Sequence, residues 1–152
     1  MLITNEDQFL EMNKADIRAI RSLRFKGFTL SEGFFEHFCE VIEGEFFEIE
    51  FVSCSLAKGI TFAEILDSCN VINLSIIDCS ISGDDLAEVL IRINPYCIKT
   101  IDLSGSRFDR DVTSILKKEL KRRLCLNRIK LEGTECVDED QLKGFCHEQT
   151  EL

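Results

Sequence analysis

With 152 residues, 45% of them hydrophobic, the chain is long enough to bury a continuous core as one domain. Its formal net charge of -10 disfavours general binding to nucleic acid or anionic membranes, because both reward cationic surfaces. No apolar run approaches the roughly 18 residues of a membrane span, and Glu6, Asp7, Glu11 and Asp16 are out of place in a secretory leader. No membrane insertion and an intracellular location, cytoplasmic or nuclear, are therefore expected.

Residues 1–19 open with Thr4 followed by Asp7, a helix-start signal, and carry Phe9, Leu10, Met12 and Ile17 as an apolar stripe. They read as an N-terminal capping segment. The alternative is a short helix that recruits another protein. From residue 20 to 152 an eleven-position motif recurs, with apolar residues at positions one, four, six and eleven and a small or polar residue at nine. Its clearest copy is Val71 to Ile81, V-I-N-L-S-I-I-D-C-S-I. Further copies begin at Ile20, Phe46, Ile98 and Leu126, giving steps of 26, 25, 27 and 28 residues.

The first copy uses Ile20, Leu23, Phe25 and Leu30, with Phe28 at position nine, and leads into Phe34, Phe35, Phe38, Val41 and Ile42 at helical spacing. His37 among them reads as a partly exposed helix residue. The second uses Phe46, Ile49, Phe51, Cys54 and Leu56, then Ile60, Phe62, Ala63 and Leu66. After the third, Asp84 and Asp85 suit the first turn of a helix carrying Leu86, Val89, Leu90 and Ile93, and Pro95 ends it. The fourth uses Ile98, Ile101, Leu103, Ser106 and Phe108, with Val112, Ile115, Leu116 and Leu120 behind it. The fifth uses Leu126, Ile129, Leu131, Thr134 and Cys136, followed by a weaker helix around Leu142 and Phe145.

This motif at this period resembles a leucine-rich repeat. The long returns, such as S-I-L-K-K-E-L-K-R-R-L-C-L-N-R-I-K-L-E-G, resemble the ribonuclease-inhibitor-like class. The segment C-N-V-I-N-L-S-I-I-D-C-S-I-S-G-D-D-L resembles the cysteine-containing class, common in substrate receptors of ubiquitin ligases. The resemblance implies an α/β solenoid of about five repeats, with a parallel β-sheet on the concave face and helices on the convex face. The nineteen or so residues before the first repeat leave no room for an F-box.

The eight cysteines follow the repeat: Cys54 and Cys79 share position nine, Cys136 takes an apolar position, and Cys69, Cys97 and Cys125 stand just before a copy begins. Recurrence at one structural position marks small buried thiols, reduced as in an intracellular chain.

Positions three, five and seven of each strand should point away from the core. Stacking then forms three rows: Ser22, Glu48, Asn73, Thr100 and Arg128; Arg24, Glu50, Ser75, Asp102 and Lys130; Lys26, Val52, Ile77, Ser104 and Glu132. Val52 and Ile77 are apolar where solvent is expected, flanked by Phe47 and Ile72 in a partly buried second position. Exposed apolar patches rimmed by charge mark interaction sites. Glu48, Glu50, Asp78 and Asp102 make the middle of the face acidic, and Arg21, Arg24 and Lys26 make its first edge basic. A partner with an apolar anchor and basic surroundings fits. The competing reading is a solvated sheet, or Phe47 folded over the aliphatics. A second patch, Lys117, Lys118, Lys121, Arg122 and Arg123, reads as the solvated side of a helix or as a contact for phosphate or an acidic protein.

Catalytic, metal and cofactor motifs are missing. Cys146 and His147 are neighbours, but adjacent helical residues diverge by about 100°. No C-x-x-C pair, phosphate loop or dinucleotide fingerprint occurs, and no pair of acids shows a sign of desolvation. The expected function is therefore a non-catalytic protein-protein interaction module, a subunit or adaptor of a larger complex binding through its concave sheet face. The end of the last repeat is expected to be open to a partner. Alternatives are substrate recognition for a ubiquitin ligase, a ribonucleoprotein factor using Lys117 to Arg123, and regulation of a small GTPase.

Overall fold

In the computed structural model, which describes residues 1–67, 69–122, 125–143 and 151, each copy of the motif opens as a strand, turns sharply and returns through a helix. The chain begins with β1 (Leu2–Ile3), α1 (Glu6–Leu10) and α2 (Lys14–Arg18). The first copy forms β2 (Ser22–Lys26), β3 (Thr29–Leu30) and α3 (Glu32–Val41), and the second β4 (Glu45–Val52), β5 (Ser55–Leu56) and α4 (Phe62–Leu66). The third gives β6 (Asn70–Ile77), β7 (Ser80–Ile81) and α5 (Gly83–Arg92). The fourth gives β8 (Thr100–Asp102), β9 (Arg107–Phe108) and α6 (Thr113–Leu120), and the fifth β10 (Arg128–Lys130) and α7 (Glu139–Lys143).

The result is an α/β architecture around a six-stranded parallel sheet, ordered β1-β2-β4-β6-β8-β10 and not closed into a barrel. Parallel neighbours need crossovers, and each crossover between the five longer strands carries a helix. Consecutive helices α3 to α7 pack on one another as a layer. One buried apolar cluster runs from Ile3 to Leu142 between sheet and helices. Among the described residues no helix is long and apolar enough to cross a membrane.

Residues 1–19 add a strand that the sequence does not announce, because two residues carry no readable period. Leu2 and Ile3 pair with Arg24 and Phe25 and extend the sheet by one strand beyond the five expected. The first helix is capped by Asn5, not Thr4: the Asn5 side chain accepts from the Gln8 N–H. Phe9 is fully buried and meets Phe25 edge-on at 5.0 Å between ring centres; Phe25 stacks on Phe51, and Phe51 meets Phe62. This aromatic series ties the N-terminal segment to the first two copies.

The turn after each long strand has a common backbone. Gly27, Ser53, Asp78, Gly105 and Gly133, all at position eight, adopt φ between 50° and 79°. Glycine occupies this left-handed region freely, whereas Ser53 and Asp78 do so at a cost of about 1 kcal/mol. Gly105 is required for a second reason: a Cβ there would collide with the Asp78 carboxylate. Position nine then serves the strand before it. Cys54 Sγ donates to the Phe25 carbonyl at 3.3 Å, Cys79 Sγ to Phe51 at 3.6 Å, and Ser106 Oγ to Ile76 at 2.6 Å. Cys39, Cys54, Cys69, Cys79, Cys97, Cys125 and Cys136 are free thiols. Burial pushes Cys79 up to about 11 and Cys69 up to about 12, so neither is a thiolate near neutrality. Cys136 departs from the buried position expected of it. It is exposed, with φ of 64°, because the fifth copy ends in turns and forms no second short strand.

The far edge is also more occupied than the sequence suggests. The Glu151 N–H donates to the Asn127 carbonyl at 2.7 Å, and the Ile129 N–H donates to the Glu151 carbonyl at 2.8 Å, so a bridge covers part of β10. Phe145, Cys146 and His147 lie outside the described residues.

Asp85 ties two copies together in a way its own helix does not reveal. Ser82 caps α5 by accepting from the Asp85 N–H, while the Asp85 carboxylate reaches back to accept from the N–H groups of Phe62 and Ala63, at 2.8 and 2.9 Å, in the first turn of α4. Burial raises the Asp85 carboxyl above its ordinary range, and these two backbone bonds oppose the rise. Asp85→Ala removes both acceptors from buried donors and is expected to cost about 1–3 kcal/mol. Asp85→Asn, which retains one acceptor, is expected to cost less. Denaturant midpoints followed by circular dichroism check the order, and equal midpoints for all three chains would contradict it.

Candidate protein-binding face

The three rows expected from the strand pleat are in register. Ser22 pairs with Glu48, Glu48 with Asn73, Asn73 with Thr100 and Thr100 with Arg128. Arg24, Glu50, Ser75, Asp102 and Lys130 form the second row, and Lys26, Val52 and Ile77 the third. Ser104 and Glu132 continue the third row beyond the strands, where their carbonyls accept from the Asp78 and Gly105 N–H groups. The face bearing these rows is opposite the helix layer.

Several side chains sit differently from the sequence reading. Glu50 and Ser75, placed on the solvent side by the pleat, are only 8% and 7% exposed. They lie on the two middle strands, where the side chains of both neighbouring rows screen them. Phe47, expected to be partly buried, is 55% exposed. Its backbone is held on both sides, by its N–H donating to the Arg21 carbonyl at 2.9 Å and its carbonyl accepting from Asn73 Nδ2 at 2.9 Å, so the ring is carried out from the sheet. It does not close over Val52 and Ile77. Those two are half-buried beside each other, and Ile72 is likewise half-buried. Asp78 leaves the face altogether, since its left-handed backbone puts it in the turn beside Gly105.

Charge is also redistributed. Arg24, read as part of a basic edge, is bonded to Glu50 and its guanidinium is held above its ordinary range by that carboxylate. Lys26 remains exposed. Lys130 approaches Asp102 at 4.0 Å, and Asp102 also accepts from the Ser104 N–H at 2.9 Å. Glu48 is left beside Glu50 and is in no salt bridge among the described residues. Burial, and after it the Glu50 charge, raises its carboxyl above the usual range. Glu48 and Glu50 are thus the partly desolvated pair of acids that the sequence did not betray.

These groups line a shallow depression of about 310 Å³ across β4, β6, β8 and β10, bounded by Phe47, Glu48, Glu50, Ser75, Asp102, Arg128 and Lys130. Asn73 and Thr100 form part of its floor, with Thr100 Oγ1 donating to Asn73 Oδ1 at 2.6 Å. Arg24, Glu48 and Glu50 also border a smaller hollow toward Met1 and Leu2.

The basic helix is a separate surface. Lys118, Lys121 and Arg122 are exposed on and just after α6. Lys117 donates to Gln141 at 2.8 Å, and Arg122 lies 3.5 Å from Glu119. Arg123 lies outside the described residues. No group of three or more His, Cys, Asp or Glu among the described residues could hold a metal ion.

No family model, no curated protein and no solved structure matches the chain.

Because Glu48 holds its proton more tightly in the folded chain than in the unfolded one, ionising it costs folding stability. The Glu48 contribution is full below the ordinary carboxylate range and is lost as pH rises through the raised value. Glu48→Gln is therefore expected to stabilise the chain at neutral pH by no more than a few tenths of a kcal/mol, because solvent screens this partly exposed pair, with the difference vanishing near pH 3. Urea midpoints at the two pH values check this. A variant less stable than wild type at pH 7 would reverse the sign and show Glu48 to be satisfied.

Proposed function

We propose that the chain is a solenoid of five leucine-rich repeats that works as a non-catalytic protein-binding module, a subunit or adaptor of a larger complex, through the open face of its sheet. The observation that carries this reading is the combination on one face of an exposed Phe47 ring, the half-buried pair Val52 and Ile77 farther along the strands, and a depression holding the acids Glu48 and Glu50. Packing of the core accounts for none of these. Apolar surface ringed by charge on a rigid sheet is what a protein partner desolvates on docking, with aromatic anchors contributing most.

The repeat reading rests on the motif period and on its structural regularity. The same position pairs with the same position in successive strands, and the same eighth residue turns left-handed in all five copies. Its acidic balance favours a partner with a basic docking surface, which the long-range field would also draw in.

Val52→Glu combined with Ile77→Arg tests the reading by affinity capture from native lysate beside wild type, with bound proteins quantified by mass spectrometry. At least one protein enriched on wild type is expected to fall by about tenfold or more on the double variant, the scale of a lost interface anchor. Circular dichroism verifies that the variant is folded. An unchanged profile with a folded variant would contradict binding through this face.

A further inference from the structure

Subtracting the bonds the depression makes within the chain shows which groups it leaves over. Arg24 takes Glu50, Lys130 takes Asp102, Thr100 takes Asn73, and Asn73 takes the Phe47 carbonyl. Two acceptors remain at the β4–β6 end. One is the Glu48 carboxylate, which shares a side-chain hydrogen bond with Glu50 and so makes a pair of acids that the single Arg24 guanidinium does not neutralise. The other is Ser75 Oγ, which has no hydrogen-bond partner among the described residues although Ser75 is only 7% exposed and lines the depression. A buried hydroxyl with no partner is costly, and few are left so without a role. Beside these acceptors stands the exposed Phe47 ring, an apolar and quadrupolar surface.

A carboxylate, a hydroxyl acceptor and an aromatic face together describe the complement of a guanidinium. That group is planar, carries five N–H donors and no acceptor, stacks on rings, and is less strongly hydrated than an ammonium. Of the neighbouring cations, Arg24 is engaged by Glu50 and leaves the pair of acids with one charge in excess, and Arg128 and Lys130 stand farther off. They belong to β10, three strand spacings or roughly 14 Å from β4, and Lys130 is drawn to Asp102.

We propose that the depression receives an arginine side chain of a protein partner, stacked on Phe47 and bonded to Glu48, with Ser75 Oγ accepting a further guanidinium N–H. This rests on the protein-binding role of the open face and names the residue that face selects. Burial and Glu50 raise the Glu48 carboxyl above its ordinary range, and a bound guanidinium would lower it again.

The test uses the full chain, 15N-labelled, titrated at low salt with the peptide Ac-Gly-Ser-Arg-Ser-Gly-NH2 and with its lysine and citrulline counterparts, following amide shifts by NMR. The arginine peptide is expected to give saturable shifts centred on residues 47–50 and 73–75. The lysine peptide should bind more weakly, and the uncharged citrulline peptide, of nearly the same shape, should not saturate. Glu48→Gln and Ser75→Ala should each weaken the arginine peptide, Glu48→Gln by about tenfold as expected for a lost charge-assisted bond. Because the peptide comparison is made on wild type, it holds whether or not a variant folds. Absence of saturable shifts, equal binding of arginine and citrulline peptides, or shifts spread evenly over acidic residues elsewhere would each overturn the arginine site. If the lysate partner is lost on Val52→Glu/Ile77→Arg while the arginine peptide fails, the face binds protein by other means. If both fail, the face itself is misassigned.

Discussion

A parallel strand can satisfy its neighbour only while both stay extended, and the whole stack depends on how that pairing ends. In each of the five copies the chain leaves the sheet through a left-handed residue at position eight, whose N–H in four of them still donates to the carbonyl of the following copy. In the three middle copies the next side chain, Cys54, Cys79 or Ser106, turns back into the core and donates to a carbonyl of the preceding strand. Each such bond is modest, about 0.5–1.5 kcal/mol net, but an unmet buried carbonyl at the same place would cost more. The repetition of this device holds the strands in one register. Register in turn decides which residues share the open face, since a slip by one residue would exchange the two faces.

Much of this was legible in the sequence because burial is periodic. Leu23, Ile49, Leu74, Ile101 and Ile129 recur at position four and are all buried, so the rows on the opposite face follow by alternation. Glycines at 27, 105 and 133 hint at the left-handed turn, but Ser53 and Asp78 conceal it, because neither residue type requires that conformation. The edge strand Leu2–Ile3 was not legible, since two residues have no period. Nor was the capping of α4 by Asp85, a bond across 22 and 23 residues that depends on how two helices lie together.

The candidate site was legible as a list of positions and not as an environment. Alternation places Glu50 and Ser75 outward, which is correct for direction and wrong for exposure, because neighbouring strands screen a middle row in a way no single strand can show. The pairing of Arg24 with Glu50 takes one of the three cations from the basic edge that a count of charges would assign. What is left is more specific than acidic character: a partly desolvated Glu48, a Ser75 hydroxyl with no partner among the described residues, and a projecting Phe47 ring.

One side of the sheet is packed and the other open, with the boundary set by register. Methyl NMR with a soluble paramagnetic agent measures this directly. Strong broadening is predicted for the methyls of Val52 and Ile77, and little for those of Ile49, Leu74 and Ile101. Equal protection of both sets, or stronger broadening of Ile49 and Leu74, would contradict the register and with it the assignment of the open face.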